Sequence, residues 1–328
     1  MNRAVNSSFR GCIVLFSLFV FVTTGRAEDA TNYPSKSIKI VVPFPAGGTA
    51  DIVARIVAEK LRQKWNQPAI VENRTGAGGN IGTETVASSA PDGYTLLVTP
   101  PGPMTINESL YKKLAFRPAD LMPVAMIATV PNVMDVRPGF PAKTVQELIS
   151  YARANPGKVS VASQGNGTTS HLTAIMFQKL TETTMVHVPY RGTAPALQDL
   201  MADTVDVFFD NLGSSIGQHQ GGALRILAVC GSERATSLPD IPTVSEAGVP
   251  GFSSVTWFAL VSPKGTPAVA EKLNAAVADI LAQEDVRDQL DKIGMTPAPM
   301  GVPAATKFIT DERERWTEIV KQSGIAVE

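Results

Sequence analysis

Three stretches of this sequence share one arrangement: an apolar run, a loop with glycine, then a helix-forming pattern. They are Pro43 to Asp51 (PFPAGGTAD), Ser163 to His171 (SQGNGTTSH) and Val188 to Pro195 (VPYRGTAP). The chemistry available at such places is anion binding. The first N–H groups of a helix have no intrahelical acceptor, and the aligned peptide dipoles place about half a positive charge there. Glycine lets a ligand oxygen approach the backbone closely. Gly and Thr are also ordinary capping residues, so one such loop alone carries little weight. Three in one chain point to a shared anion site. Phe44, Pro45, Ala46, Gly47, Gly48 and Thr49 would stand on one side of it and Gly192, Thr193 and Ala194 on the other.

The side chains near these loops each admit two readings. Asp51 is a charged ligand contact, or a helix N-terminal acid that satisfies free N–H groups. Arg191 is a partner for a ligand carboxylate, or a solvated loop charge. Tyr190 and Phe44 wall a pocket, or simply pack. His171, in the first turn of its helix, organises its loop or acts as a base. Ser163, Gly167 and Thr168 belong to the second loop. Asp210 and Asn211 end another apolar run, where either could read a polar ligand group, and Thr99 ends a further run beside the same cleft. Specificity is expected near Thr99, Thr168, Asp210 and Asn211.

Enzyme signatures are mostly missing. There is no H-E-x-x-H and no P-loop lysine. His171, His187 and His219 show no metal spacing. Gly165 to Ser170 (GNGTTS) begins like a dinucleotide fingerprint, but Ser170 stands where the last glycine belongs. No cofactor and no metal are expected.

Alternating strands and helices must position the loops. Ile38 to Pro43, Ala69 to Glu72 and Tyr94 to Thr99 read as strands, with helices over Asp51 to Gln63 and Ile81 to Ser89 between them. This βαβαβ pattern implies a mostly parallel sheet covered by helices. A second unit follows, with strands at 123–128, 133–136, 159–162, 185–189, 205–209 and 225–229 and helices at 144–154, 170–180 and 193–201. Thr144 and Glu147 have the spacing of a capping box. The tail adds a strand at 255–261 and helices at 267–281, 286–293 and 304–323, expected to pack on the first unit. Residues 28–130 and 253–328 then form domain 1, and 131–252 form domain 2. Two crossings, near Ile127–Asn132 and Gly251–Trp257, make the hinge.

The first residues set the compartment. Arg3 and Arg10 precede an eleven-residue apolar run, Cys12 to Val22, and small residues lead to Ala27. That is the order of a secretory signal peptide cut after Ala27; eleven residues are too few for a span that needs about 20. The export implied is to the periplasm. The full chain has 29 Lys+Arg and 30 Asp+Glu; removing residues 1–27 takes away Arg3, Arg10 and Arg26 and no acid, which leaves a net charge of −4. This balance argues against nucleic acid as a partner. Any anion must be held by local dipoles and a few cations. Cys230 is the one cysteine left, so no internal disulfide can form. About 300 residues suffice for a stable core and usually form two domains.

With these loops in view, the chain resembles the substrate-binding receptors of tripartite tricarboxylate transporters, the Bug-type periplasmic proteins. The resemblance runs from Tyr33-Pro34 to Trp316. It rests on Pro45 to Asp51 with Ala54-Arg55, Val71 to Arg74 with Gly76 to Gly82, and Ala90 to Tyr94. It continues through Gly165 to Gly167 with His171-Leu172, Pro189 to Gly192, and Leu238 to Thr243 with Glu246 to Gly248. The resemblance implies an α/β, two-domain Venus-flytrap fold, type II-like, without catalysis. It also implies that the 46–51 and 190–194 loops grip a ligand carboxylate. Three positions depart from the family's usual residues: Ile175 for Glu, Asp203 for Gly and Ala259 for Gly. The expected function is capture of a small carboxylate by a monomer, for delivery to membrane transporter subunits. A sensor that signals to a membrane kinase shares the fold, and a secreted hydrolase is a more distant reading. Val at Gly47 or Gly192 is expected to weaken binding severely.

Overall fold

A computed structural model describes residues 30–323; the expected leader and its cut after Ala27 lie outside the described residues. The first unit is β1 (Ile38–Val42), α1 (Thr49–Trp65), β2 (Ala69–Asn73), α2 (Asn80–Ala87) and β3 (Thr95–Thr99). β1 lies between β2 and β3 and is parallel to both, with Ile40 opposite Val71 and Leu96. Parallel pairing puts the carboxyl ends of β1 and β3 on one edge, so the 43–48 loop emerges there. α1 buries Val53, Ala54, Val57, Ala58 and Leu61. These positions fall on one stripe of a 3.6-residue helix, and each fully buried Val or Leu contributes about 1.5–3 kcal/mol.

After a π-helical turn, Gly102–Ile106, and α3 (Asn107–Leu110), β4 (Leu121–Val136) runs for 16 residues. The sequence suggests two strands here. They are one, because β4 serves both halves of the sheet. Through Pro131 it pairs antiparallel with β9 (Val255–Pro263), and from Asn132 onward with β7 (Val207–Asn211) and β8 (Arg225–Val229). Pro131, which has no N–H to donate, stands where the partner changes.

The second unit holds α4 (Val145–Ala154), β5 (Ser160–Ser163), α5 (Thr169–Thr181), β6 (Val186–Pro189), α6 (Thr193–Met201) and β7, which leads directly into α7 (Leu212–Gln220) and β8. β5 is parallel to β6 and β7. The expected cap is present: Thr144 Oγ1 accepts from Glu147 N–H at 3.2 Å, while Glu147 reaches back to Lys143 N–H at 2.6 Å. α8 (Pro267–Leu281), α9 (Glu284–Lys292), β10 (Thr296–Pro297) and α10 (Val302–Ser323) complete the described chain. α8 packs on α1 and β4, and α10 on β4 and the π-turn. The strand order is β2-β1-β3-β9-β4-β7-β5-β6, with β8 and β10 attached to β4. Each half thus carries a parallel trio, and the strands that run between the halves are antiparallel.

One apolar cluster extends along a face from Ile40 and Val57 through Val130 and Val133 to Phe208 and Leu212. Met134, Phe177 and Phe209 anchor a second cluster, and Leu97, Trp257 and Ile309 a third, which includes Ala259. Ile175 packs against a fourth that joins Leu172 of α5 to Leu110 of α3 and Trp316 of α10. Asp203 has φ +57, as a residue standing for glycine should, and its carboxylate accepts from Arg137 at 3.2 Å.

Where β4 changes partners, polar groups replace the apolar core. Asn132 N–H donates to Ser254 O, and Asn132 O accepts from Cys230 N–H. Asn132 Nδ2 donates to Thr173 Oγ1 at 2.8 Å, and Asn132 Oδ1 accepts from Asn211 Nδ2 at 2.7 Å and Thr256 Oγ1 at 3.0 Å. Buried amides and hydroxyls that satisfy one another fix a register that apolar contacts alone would leave free to slide. Cys230 is buried here as a free thiol.

Candidate functional site

The first loop begins where β1 ends. Gly47 has φ +83, and its N–H donates to Asp51 Oδ2 at 3.0 Å. Gly48 is the N-cap of α1 and offers no side-chain acceptor. The N–H groups of Gly48, Thr49 and Ala50 find no acceptor among the described residues. Asp51 takes the second of its two readings, an acid that satisfies N–H groups of its own turn. Its oxygens accept from Gly47 N–H, from Arg55 Nε and Nη2 at 2.9 Å each, and from Asn73 Nδ2 at 2.9 Å. Burial alone would raise this carboxyl, but the donations from Arg55, Gly47 and Asn73 outweigh it and hold it below its ordinary value. Asp51 shapes the turn and leaves the helix start free.

The loop of the second unit repeats the design. Gly192 is the N-cap of α6, with φ +123 and ψ −176 and no side-chain cap. Gly192, Thr193 and Ala194 N–H have no acceptor among the described residues, and Pro195 has no N–H to satisfy. The two loops meet. A Cβ on Gly192 would lie 2.4 Å from Pro45 Cδ, and one on Gly48 would lie 3.6 Å from Thr193 Cβ. Between them is a cavity of about 20 Å³ lined by residues that include Phe44, Pro45, Gly48, Thr49, Thr193 and Asn211. Ala46 and Gly47 form the exposed tip of the first loop, and Ala194 is half-buried.

Behind this meeting point lies a buried acid. Asp210 accepts from Thr193 Oγ1 at 3.1 Å and Gln164 Nε2 at 2.7 Å on one oxygen, and from Ser214 Oγ at 2.6 Å and Ser215 Oγ at 3.1 Å on the other. Thr49 Oγ1 reaches across from α1 to Ser214 Oγ at 3.2 Å. Burial raises the Asp210 carboxyl against these donations. Burial and then the Asp210 charge push its neighbour Asp135 well above the ordinary value, so Asp135 is the member that keeps a proton. Asp210 therefore holds Thr193 and Gln164 in place. Asn211 lines the small cavity and also donates to Asn132.

The middle loop makes many internal hydrogen bonds. Thr168 caps α5, accepting from His171 N–H at 3.3 Å and donating to Gly165 O at 2.7 Å. Gly167 N–H donates to His171 Nδ1 at 3.4 Å. The His171 ring stacks on His187 at 4.3 Å, and His187 Nε2 lies 2.7 Å from Ser163 Oγ. Burial, then His187, lowers His171 to about 3, and burial lowers His187. Ser163 is fully buried. Among the described residues no acid orients the His187 ring as a hydrolase would require. Thr99 is also fully buried and gives its hydroxyl to Pro100 O at 3.1 Å; Pro100 borders the cavity instead.

Tyr190 and Arg191 stand beside a second cavity, also lined by Phe44 and Gln164. Tyr190 donates its hydroxyl to Asp199 Oδ2 at 2.6 Å, and burial followed by Asp199 pushes it up to about 12. Gln164 is the residue that sequence reasoning missed. Its amide lies within reach of Thr193, Asp210 and Asn211 at once, but an uncharged residue after a short strand gives no distinguishing signal.

Two helix starts with unpaired amides thus meet, one from each half of the sheet. The family model described as "Tripartite tricarboxylate transporter family receptor" matches residues 53–325. The chain belongs to this family. Protein BugT of Bordetella pertussis is 37% identical over 318 residues, covering 95% of this chain and 97% of BugT. Among solved structures, R. palustris Rpa4515 with adipate is 36% identical with a TM-score of 0.88, covering 90% of this chain and 99% of that one. MatC from Rhodopseudomonas palustris with bound malate is 34% identical with a TM-score of 0.81, covering 88% and 100%. The fold is the two-domain fold of periplasmic binding proteins. Two of these relatives thus hold a dicarboxylate in their solved structures.

Proposed function

We propose that this receptor captures a small carboxylate between its two lobes outside the cytoplasmic membrane, after removal of residues 1–27, and presents it to a tripartite tricarboxylate transporter. The carboxylate sits between the N–H groups of Gly48, Thr49 and Ala50 and those of Gly192, Thr193 and Ala194. The observation that carries this reading is that both sets of amides lack acceptors and stand at helix starts that meet. Two half-charges and several N–H donors suit one anion, and a chain of slightly acidic balance needs such local donors. The adipate and malate complexes of relatives support the ligand class. In this reading residues 28–130 with 253–328 form one lobe and 131–252 the other, hinged where β4 passes from Pro131 to Asn132.

Isothermal titration of the mature chain against carboxylates, their amides and sugars tests it. Carboxylates bind and the matching amides do not. Binding of sugars or amides with carboxylates inert overturns it.

A further inference from the structure

Phe44 and Gln164 line two cavities at once: the small one at the helix starts and a second of about 210 Å³. The second is walled by Gly76–Gly79 and Tyr111 from the first lobe and by Asn166, Tyr190 and Arg191 from the other. Both tyrosine hydroxyls of its wall are spent. Tyr111 hydroxyl donates to Asn166 O at 3.0 Å and Tyr190 hydroxyl to Asp199. Two polar side chains of the wall have no partner among the described residues, the Asn166 amide and the Arg191 guanidinium. Arg191 is the only charged residue of the lining. A cation at the mouth of an interlobe cavity, with no acid in the lining, suits a second negative group on the same ligand. Without that cation, a second carboxylate drawn into this space would lose water with no opposite charge to replace it.

We propose that the second cavity takes the far carboxylate of a linear dicarboxylate, and that Arg191 selects it over the monocarboxylate of equal length. The near carboxylate is the one held by the amides of α1 and α6, so the inference rests on the clamp proposed above. Arg191 supplies a planar pair of donors to the far carboxylate. A monocarboxylate's methyl end gains nothing from it.

The test is titration of the mature chain with α,ω-dicarboxylates of three to eight carbons and with monocarboxylates of the same lengths, repeated on Arg191→Gln. The best diacid binds wild type about tenfold more tightly than its matching monoacid, and in R191Q that ratio falls to near one. The variant melts like wild type, because Arg191 has no internal partner to lose. A ratio that survives in R191Q, or a parallel loss for both acids, overturns the selection role. If wild type binds neither class at millimolar concentration, the amide clamp itself fails, and that failure is distinct from loss of the ratio.

Discussion

Replacing Gly192 by Ala separates the stability of the second lobe from the closure of the two lobes. Gly192 has φ +123 and ψ −176, a region open almost only to glycine. An alanine there costs about 1–3 kcal/mol whether the lobes are open or closed. That cost lowers the melting temperature by roughly 3–10 °C but cancels from the binding equilibrium. The second effect does not cancel. The new Cβ would lie 2.4 Å from Pro45 Cδ and 2.9 Å from Pro45 Cγ, atoms that belong to the opposing lobe. Relieving such an overlap costs about 1–3 kcal/mol, and only the closed, liganded form bears it. At about 1.4 kcal/mol per tenfold, the affinity falls about 10- to 100-fold. Gly47→Ala is the matched control. Gly47 has φ +83, yet a Cβ there meets nothing within 4 Å. It pays the strain without the clash, so its loss of affinity is far smaller. Of the two glycines at which valine is expected to weaken binding severely, only Gly192 meets the opposing loop. The assay is titration calorimetry with the best-binding carboxylate, alongside thermal unfolding of each variant. A G192A protein that melts lower yet binds within twofold of wild type refutes the closed contact between Pro45 and Gly192.

Gln164→Ala leaves Thr193 and Asp210 without their shared amide donor; titration calorimetry is expected to read a roughly tenfold loss of affinity, and denaturant unfolding a loss of about 1–3 kcal/mol. Asp51→Asn removes the charged acceptor of the 46–51 turn and destabilises the protein by about 1–3 kcal/mol at neutral pH, measured by urea unfolding. Because the folded Asp51 carboxyl lies below its ordinary value of 3.8, its contribution is full above that value and is lost only as the pH falls beneath it. His171 works over a different window. Its folded value of about 3 against an ordinary 6.5 means that stability declines as the pH falls from 6.5 toward 3. Urea unfolding of His171→Phe across that window should show a shallower decline, and an unchanged slope counts against a buried neutral ring.

The loops were legible because glycine before a helix start is a local signal, and Gly48 and Gly192 do cap α1 and α6. So were the parallel strands, where β-branched runs end at proline or glycine. What failed was decided by distant partners. The gap expected between the strands at 123–128 and 133–136 is absent because β4 pairs with β9 as far as Pro131 and with β7 from Asn132. α7 went unread since Gly213, Ser214, Ser215 and Gly217 are weak helix formers; Ser214 and Ser215 are held by Asp210, and Ser215 also by Asp135. Sequence does not show where the hydroxyls of Thr99, Ser163 and Thr168 find their partners. Position and residue type were readable, and hydrogen-bond commitment was not.

The most direct measurement is a crystal structure of the mature chain with a bound carboxylate. The account predicts one carboxylate group with its oxygens about 2.7–3.2 Å from amide nitrogens of both the Gly48–Ala50 and the Gly192–Ala194 segments. A carboxylate held by only one lobe, or by side chains away from both helix starts, contradicts it.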